Sequence, residues 1–290
     1  MRVLLLLPPV SLSPPLVRPR HAPHFTAIAA SALRDAGHDV SVQDAHLHTC
    51  DRLQLAATAR AAAPDVVFLM HDDYNRKIAG ATLQAVAEAL RDAMPGSAIV
   101  LCGRVDAGPA QVALTQVPAL DLFLWGEPER CTVAFLAGLD PDRSAGAVVR
   151  GPAGLAVIAE ERPIDGRAAA GLDESPFPAW DLVPLRSYAF SPHQQAADLI
   201  HPVLASRGCP FPCFYCEVRA RPRYVARSVE SVLAELSWLR AEHGARAVFL
   251  ADPTFAVDRS WALDFCARLS ALGWTDFRWS CMSRTDRVDD

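Results

Sequence analysis

The sequence predicts an α/β protein with two regions of alternating strands and helices. The first half contains five short apolar runs, at residues 3–7, 39–42, 65–70, 98–101 and 121–125. Continuous hydrophobicity is typical of parallel strands that are buried on both faces. The clearest helical pattern between them is the apolar stripe of Leu83, Val86, Ala87, Leu90 and Met94. This alternation favours a doubly wound, Rossmann-like parallel sheet, whose ligands lie beyond the carboxyl ends of the strands.

The chain after residue 140 first loses this periodicity and then regains it. Prolines accumulate between residues 141 and 199, which predicts a linker with a short hairpin around residues 148 and 156–158. From residue 200 onward, the pattern predicts three strands and two helices, at residues 201–205, 229–243, 247–251, 261–272 and 277–281. We therefore expect domains at residues 1–140 and 200–290, separated by a linker at residues 141–199.

The second domain is predicted to be incomplete, because three strands cannot close a barrel. Each connection contains a whole helix, so the strands should pair in parallel through right-handed crossovers. The last strand should leave its edge partly uncovered, with Phe277 and Trp279 on one face.

Composition and charge exclude several classes of partner. The net charge of −5 disfavours nucleic acids and acidic membrane surfaces, which call for a basic protein. No apolar stretch approaches the roughly 20 residues of a membrane span. The first apolar run is broken by Pro8 and Pro9, so it fits a buried strand better than a signal peptide. We expect a cytoplasmic protein.

Three of the eight cysteines form the spacing C-x3-C-x2-C, with Cys209, Cys213 and Cys216 directly after a predicted strand. Thiolates are the usual ligands of iron–sulfur clusters, and three ligands leave one iron of a four-iron cube open. Structural zinc is disfavoured because it needs a fourth ligand, and the next histidine, His243, ends the following helix. The other cysteines are expected to be small buried apolar side chains: Cys50, Cys102, Cys131, Cys266 and Cys281.

This loop resembles the hallmark C-x3-C-x-aromatic-C of the radical S-adenosylmethionine superfamily, with Tyr215 in the aromatic place, and specifically its cobalamin-binding branch. The resemblance implies a partial or complete β/α barrel whose open iron binds the amino and carboxylate groups of S-adenosylmethionine. Electron transfer then cleaves that molecule to a 5′-deoxyadenosyl radical. It also implies a small-molecule substrate and an electron donor such as flavodoxin or ferredoxin.

Segments beyond the cysteines strengthen the resemblance. Arg227-Ser228 with Glu235 is similar to the family's Arg-Ser followed by a helical Glu. Residues 252–255 resemble the branch's Asp-Asp-x-Phe, with Pro253 in place of the second Asp, and residues 279–286 resemble its third-strand motif. The implied S-adenosylmethionine contacts are Tyr215, Asp252, Ser280 and Arg284. Solvent exposure is expected for four loop arginines, with cofactor or substrate carboxylates as the alternative: Arg219, Arg221, Arg223 and Arg227.

The first half resembles the cobalamin-binding domain of this branch. The matching segments are residues 3–9, 37–40, 64–67, 100–104, 121–129 and 172–181. The implied cobalamin contacts are Pro9, His71, Gly103, Arg104, Gly126 and Glu127. Cys102-Gly103-Arg104 departs from the family's paired-glycine turn.

Two histidine-containing segments are candidates for metal or cobalamin ligands. Residues 44–49 resemble the Asp-x-His-x-x-Gly motif of other cobalamin proteins, but the closing Gly is missing, so His46 is not expected to be an axial ligand. His71-Asp72-Asp73 is expected to be a strand-end loop rather than a metal triad.

The resemblance implies an enzyme that transfers a methyl group, with cobalamin, to an unactivated carbon or phosphorus of a biosynthetic intermediate. Three alternatives stay open: radical ring formation or rearrangement, methylthiolation with a second cluster in the first domain, and a non-catalytic cofactor-binding fragment. We expect this 290-residue form to bind a cluster weakly, to cleave S-adenosylmethionine faintly and to turn over no substrate.

Overall fold

A computed structural model gives the fold and describes residues 1–9, 22–45, 47, 52–70, 80–103, 107–138, 145–151, 154–159, 169–188, 199–216 and 224–288. The chain forms two compact units. The first comprises Met1–Arg162 and Pro176–Ala189, and the second comprises Pro163–Ser175 and Phe190–Asp290. None of the helices in these described ranges has the length and hydrophobicity to cross a bilayer.

The first unit is a seven-stranded sheet with helices on both faces. Its strands are β1 (Arg2–Leu7), β2 (Asp39–Asp44), β3 (Val66–Met70), β4 (Ala98–Gly103), β5 (Leu122–Gly126), β6 (Ala145–Gly151) and β7 (Gly154–Ala159). Its helices are α1 (His24–Asp35), α2 (Arg52–Ala61), α3 (Gly80–Ala93), α4 (Ala107–Gln116) and α5 (Pro128–Leu136). The strand order is β2-β1-β3-β4-β5-β6-β7, and the first five strands are parallel. The predicted α/β class and all five predicted strands are confirmed.

Strand β1 shows why these runs form central strands. Its side chains alternate between two cores: Leu4 and Leu6 pack with α2, α3 and α4, whereas Leu5 and Leu7 pack with α1 and α5. Both faces are covered, so each residue of the run gains from burial. The apolar stripe predicted along residues 83–94 is buried in the first of these cores.

The proline-rich stretch at residues 141–199 is divided between the two units. The predicted hairpin is confirmed as β6 and β7, but β6 pairs with β5 and so extends the first sheet. Residues 176–189 also pack on the first unit, where Ala179 N–H donates to the Ala27 carbonyl at 2.9 Å and Trp180 is buried. Ala179 and Trp180 stand between prolines, which interrupt any helical or strand periodicity. The sequence therefore predicts only a linker there.

The second unit contains a three-stranded parallel sheet. Its elements are α6 (Ala169–Asp173), β8 (Ile200–Val203), β9 (Ser206–Arg207), β10 (Val225–Ala226), α7 (Val229–His243), β11 (Ala247–Leu250), α8 (Arg259–Ala271) and β12 (Arg278–Cys281). The sheet order is β12-β11-β8, which confirms the predicted parallel pairing. Ser228 caps α7, and Gly244, at φ +61°, ends it in the left-handed conformation. Phe277 and Trp279 are half-buried, as expected for an open edge.

We predict that one buried hydrogen bond contributes measurably to holding residues 176–188 on the first unit. The Tyr188 hydroxyl donates to Asp44 Oδ2 at 2.6 Å, and both side chains are buried. Tyr188→Phe removes a donor from a buried carboxylate, so the free energy of unfolding should fall by about 1–3 kcal/mol. The control Asp181→Asn breaks the exposed ion pair with Arg34 and should cost under about 1 kcal/mol. Urea unfolding measures both; equal losses would contradict the prediction.

Candidate functional site

The cysteine loop is closed at its base by a short antiparallel ribbon. Strand β9 pairs with β10 through Ser206↔Ala226 and Arg207↔Val225. Arg227 N–H extends the pairing by donating to the Ala205 carbonyl at 2.8 Å. We call residues 205–207 and 225–227 the stem. The stem brings the two ends of the loop together at the carboxyl end of β8, and Gly208, at φ +79°, turns the chain out of it.

Asp252 lies beneath the stem rather than in an open site. It follows β11, is 1% exposed, and its Oδ1 accepts from Ser206 Oγ at 2.5 Å, while Oδ2 accepts from Ala205 N–H at 3.3 Å. Burial raises the pKa of Asp252 to about 6, although these hydrogen bonds oppose the shift. Burial, with Asp252 and Asp258 nearby, also raises the pKa of Tyr224 to about 12. The carboxylate predicted to contact S-adenosylmethionine therefore binds the stem in this structure.

Arg227 holds the stem to the helix that follows. Its guanidinium donates to the buried carboxylate of Glu235, to the Leu204 carbonyl at 3.1 Å and to Ser231 Oγ at 2.8 Å. Its own carbonyl accepts from Trp261 Nε1 at 2.7 Å. Burial raises the pKa of Glu235, while Arg227 lowers it. For Arg227, the expectation of a solvated loop with scattered ion pairs holds for the ion pair but not for the exposure, because its side chain is only 10% exposed. The other three loop arginines lie outside the described residues.

The cysteines themselves are half-buried and are contacted from the ends of the two neighbouring strands. Cys209 Sγ lies 3.6 Å from the Thr254 hydroxyl, just beyond β11. Cys213 Sγ accepts a hydrogen bond from Arg284 Nη1, beyond β12, at 3.2 Å. The contact from Thr254 was missed in the sequence, although Thr254 stands inside the segment 252–255. The structure thus places the loop and both strand ends together.

The remaining predicted S-adenosylmethionine contacts are exposed. Tyr215 is 78% exposed, with its ring edge-on to Phe214. Ser280 alternates along β12 with Trp279, whose ring packs edge-on against Phe265 of α8. Ser280 therefore lies on the sheet face opposite the helices, which is the inner face of a β/α barrel.

The chemistry of the loop's donors fits a four-iron cluster. Thiolates are the usual ligands of iron–sulfur clusters, and three of them leave one iron of a four-iron cube open. A structural zinc ion needs a fourth protein ligand. In the described ranges, no group of three or more His, Cys, Asp or Glu side chains is gathered closely enough to hold one metal ion.

The predicted cobalamin contacts that the structure describes share one edge of the first sheet. Pro9, Gly103, Gly126 and Glu127 lie at or just beyond the carboxyl ends of β1, β4 and β5, and all four are buried. Gly126 has a backbone φ of +132°, which residues other than glycine rarely adopt. Chain order reverses between β1 and β3, and open parallel sheets bind ligands at such a point. The predicted cobalamin contacts His71 and Arg104 lie outside the described residues, and so does His46.

The other cysteines were predicted to be buried, and two of them are. Cys102 and Cys131 lie in the apolar core of the first unit with their Sγ atoms 3.5 Å apart, and the contact with Cys102, together with burial, raises the pKa of Cys131. Cys281 is half-buried. Cys266 is exposed, so its prediction was wrong: it lies beside Phe265, which takes the inward position on α8. Cys50 is outside the described residues.

The raised pKa of Asp252 predicts a pH-dependent stability. The folded state holds this proton more tightly than the unfolded state, whose pKa is near 3.8. The favourable contribution is therefore complete below about pH 4 and is lost as the pH rises through about 6, by about 3 kcal/mol. Urea unfolding of the unmodified protein and of Asp252→Asn should show their difference in unfolding free energy falling over this range.

An exposed carboxylate in the same unit supplies the control. Arg240 lowers the pKa of Asp276, so Asp276→Asn should give the opposite slope. A pH-independent difference between the unmodified protein and Asp252→Asn would show that the Asp252 carboxyl is not desolvated beneath the stem.

The fold and the loop together place the chain in a known class of structure. No family model matches the sequence. Among solved structures, the chain shares the fold of the cobalamin-dependent radical S-adenosylmethionine enzymes over nearly its whole length, which confirms the fold that the resemblance implies.

Two solved structures represent this fold. The radical S-adenosylmethionine methyltransferase TsrM of Kitasatospora setae, solved with tryptophan and a S-adenosylmethionine analogue, matches with a TM-score of 0.67 and 18% identity, covering 96% of this chain and 54% of TsrM. The enzyme OxsB, solved with aqua-cobalamin and S-adenosylmethionine, matches with a TM-score of 0.62 and 20% identity, covering 93% of this chain and 37% of OxsB.

Two curated proteins are similar in sequence. An uncharacterized methyltransferase of Pyrococcus horikoshii is 27% identical over the whole of this chain and 61% of its own length. The anaerobic magnesium-protoporphyrin IX monomethyl ester cyclase of Synechocystis is 26% identical over 93% of this chain and 53% of its own length. The chain thus spans between half and two thirds of these relatives.

Proposed function

We propose that the protein is a radical S-adenosylmethionine enzyme whose 4Fe–4S cluster is held by Cys209, Cys213 and Cys216. Its reaction is cobalamin-dependent methyl transfer to an unactivated carbon or phosphorus of a small biosynthetic intermediate. The observation that carries the proposal is the closed cysteine loop, which presents three thiols at the carboxyl edge of a parallel sheet, with no fourth metal ligand gathered beside them among the described residues. The methyltransferases among the similar proteins support the reaction class.

The chain's own residues supply binding and orientation. Cys209, Cys213 and Cys216 would hold the cluster, which would supply one electron to S-adenosylmethionine and would be reduced again by an external donor such as flavodoxin or ferredoxin. The stem holds the two ends of the cysteine loop together at the carboxyl end of β8 and so orients the loop. Ser280 lies on the exposed inner face of β12. Its hydroxyl can accept a hydrogen bond from S-adenosylmethionine or donate one to it.

Cobalamin binding is proposed for the carboxyl edge of the first sheet. A flat corrin needs close approach to backbone and an apolar floor, which Gly103, Gly126 and Pro9 supply there. The neighbour OxsB is solved with aqua-cobalamin, which supports the assignment. No histidine ligand is needed in this proposal.

A ring-forming radical reaction is the second candidate, because one similar protein is a cyclase. Methylthiolation has less support. It needs a second cluster in the first unit, and both Cys102 and Cys131 are enclosed in an apolar core.

We predict that anaerobic reconstitution gives about four irons and four sulfides per chain, since one cube is bound. Replacing Cys209, Cys213 and Cys216 together by Ala should abolish the iron and the visible absorbance. The control Cys266→Ala removes an exposed thiol outside the loop and should leave both unchanged. Full iron in the triple variant would refute the proposal, and about eight irons in the unmodified protein would favour methylthiolation.

We also predict that the protein retains hydroxocobalamin on gel filtration without a histidine ligand. His46→Ala should leave the amount retained and the absorption spectrum of the bound corrin unchanged. Gly126→Val should reduce retention, because a β-branched side chain is strained at φ +132° and narrows the approach to the backbone. A spectral shift on His46→Ala would show that His46 is an axial ligand.

A further inference from the structure

Arg284 is fixed against the cysteine loop from three sides. Its Nη1 lies 3.2 Å from Cys213 Sγ. Its Nε and Nη2 both donate to the Asp286 carboxylate at 2.9 Å, and its guanidinium carbon stands 4.3 Å from the centre of the Phe211 ring. The two-pronged pair with Asp286 sets the plane of the guanidinium, and the ring supports its face. One N–H is thereby aimed at the sulfur.

We propose, resting on the proposed function, that Arg284 is a positioning residue that acts through Cys213: it donates a charge-assisted hydrogen bond to the cluster-bound sulfur and makes the cluster easier to reduce. This assignment differs from the S-adenosylmethionine contact that the resemblance implies for Arg284. In this proposal, Phe211 and Asp286 orient the guanidinium for its contact with Cys213.

The direction of the effect follows from charge. One electron enters the cluster on reduction, no bond to Arg284 is made or broken, and no proton moves. The guanidinium of an arginine is a cation at any accessible pH, so Arg284 carries its charge in both redox states. Reduction adds negative charge to the cluster sulfurs, so the hydrogen bond to Cys213 stabilises the reduced form more than the oxidised form.

Thr254 cannot substitute for this contact. Its hydroxyl lies 3.6 Å from Cys209 Sγ and is neutral, and it also donates to the Pro253 carbonyl at 2.8 Å. A second cation, Arg287, lies beside the loop, with its guanidinium carbon 5.0 Å from the centre of the same Phe211 ring. Arg287 therefore offers a matched control, with the same charge and ring but without a hydrogen bond to a described cysteine sulfur.

The test is the midpoint potential of the cluster in the reconstituted full chain, without S-adenosylmethionine, followed by electron paramagnetic resonance during a redox titration. Arg284→Gln should make one-electron reduction about tenfold less favourable, a decrease of about 59 mV. Arg287→Gln should change the equilibrium by less than about threefold. Arg284→Lys keeps the charge but loses the two-pronged pair, so its potential should lie between those of the unmodified protein and the Gln variant.

The outcomes separate this inference from the proposed function. Iron content is measured first, and an unmodified protein without a cluster would refute both. An unchanged potential in Arg284→Gln, or equal decreases in the Arg284 and Arg287 variants, would overturn the inference alone. An unchanged potential combined with a lost spectral response to S-adenosylmethionine would assign Arg284 to that molecule. If Arg284→Gln loses its iron, the midpoint potential of Arg284→Lys is compared with that of the unmodified protein instead. If neither variant holds iron, Arg284 is a structural residue and the inference is overturned.

Discussion

Closure of the cysteine loop by the stem is the constraint on which the second unit depends. Every element of that unit near the loop contributes to it: β9 and β10 form the stem, β11 ends in Asp252 beneath it, and α7 supplies Glu235 to Arg227. These charged groups are buried, so removing one partner leaves the other unpaired in a place of low dielectric. The loop is consequently held by interactions that tolerate few substitutions.

The two units use the same geometric principle for their proposed cofactors. Parallel strands place all their carboxyl ends at one edge, where loops with unusual backbone conformations collect. In the first unit this edge carries Gly103 and Gly126, and in the second it carries the cysteine loop with Thr254 and Arg284. Burial of the strands on both faces fixes the sheet, and the edge is left to bind ligands. Fold and function are thereby assigned to different residues of the same strands.

Periodicity predicted the elements because it reports local burial: β1, β3, β4 and β5 are almost wholly buried, whereas β12 is half-buried at most. The cysteine loop could also be singled out from the sequence, since its C-x3-C-x2-C spacing is local. The side-chain contacts could not. Arg284 reaches Cys213 across 71 positions of sequence, and Asp252 reaches Ser206 across 46, so neither pairing has a local signal. Proline content likewise concealed the apolar contacts of residues 176–189.

The central claim is that the closed loop presents three thiolates and leaves one iron of the cluster open. Mössbauer spectroscopy of protein reconstituted with the Mössbauer-active isotope of iron measures this directly. Adding S-adenosylmethionine to the oxidised cluster should change the isomer shift and quadrupole splitting of a single iron subsite, because only the iron without a cysteine ligand can bind it. Spectra that are identical with and without S-adenosylmethionine, in protein with a full cluster, would mean that a fourth protein ligand closes the site.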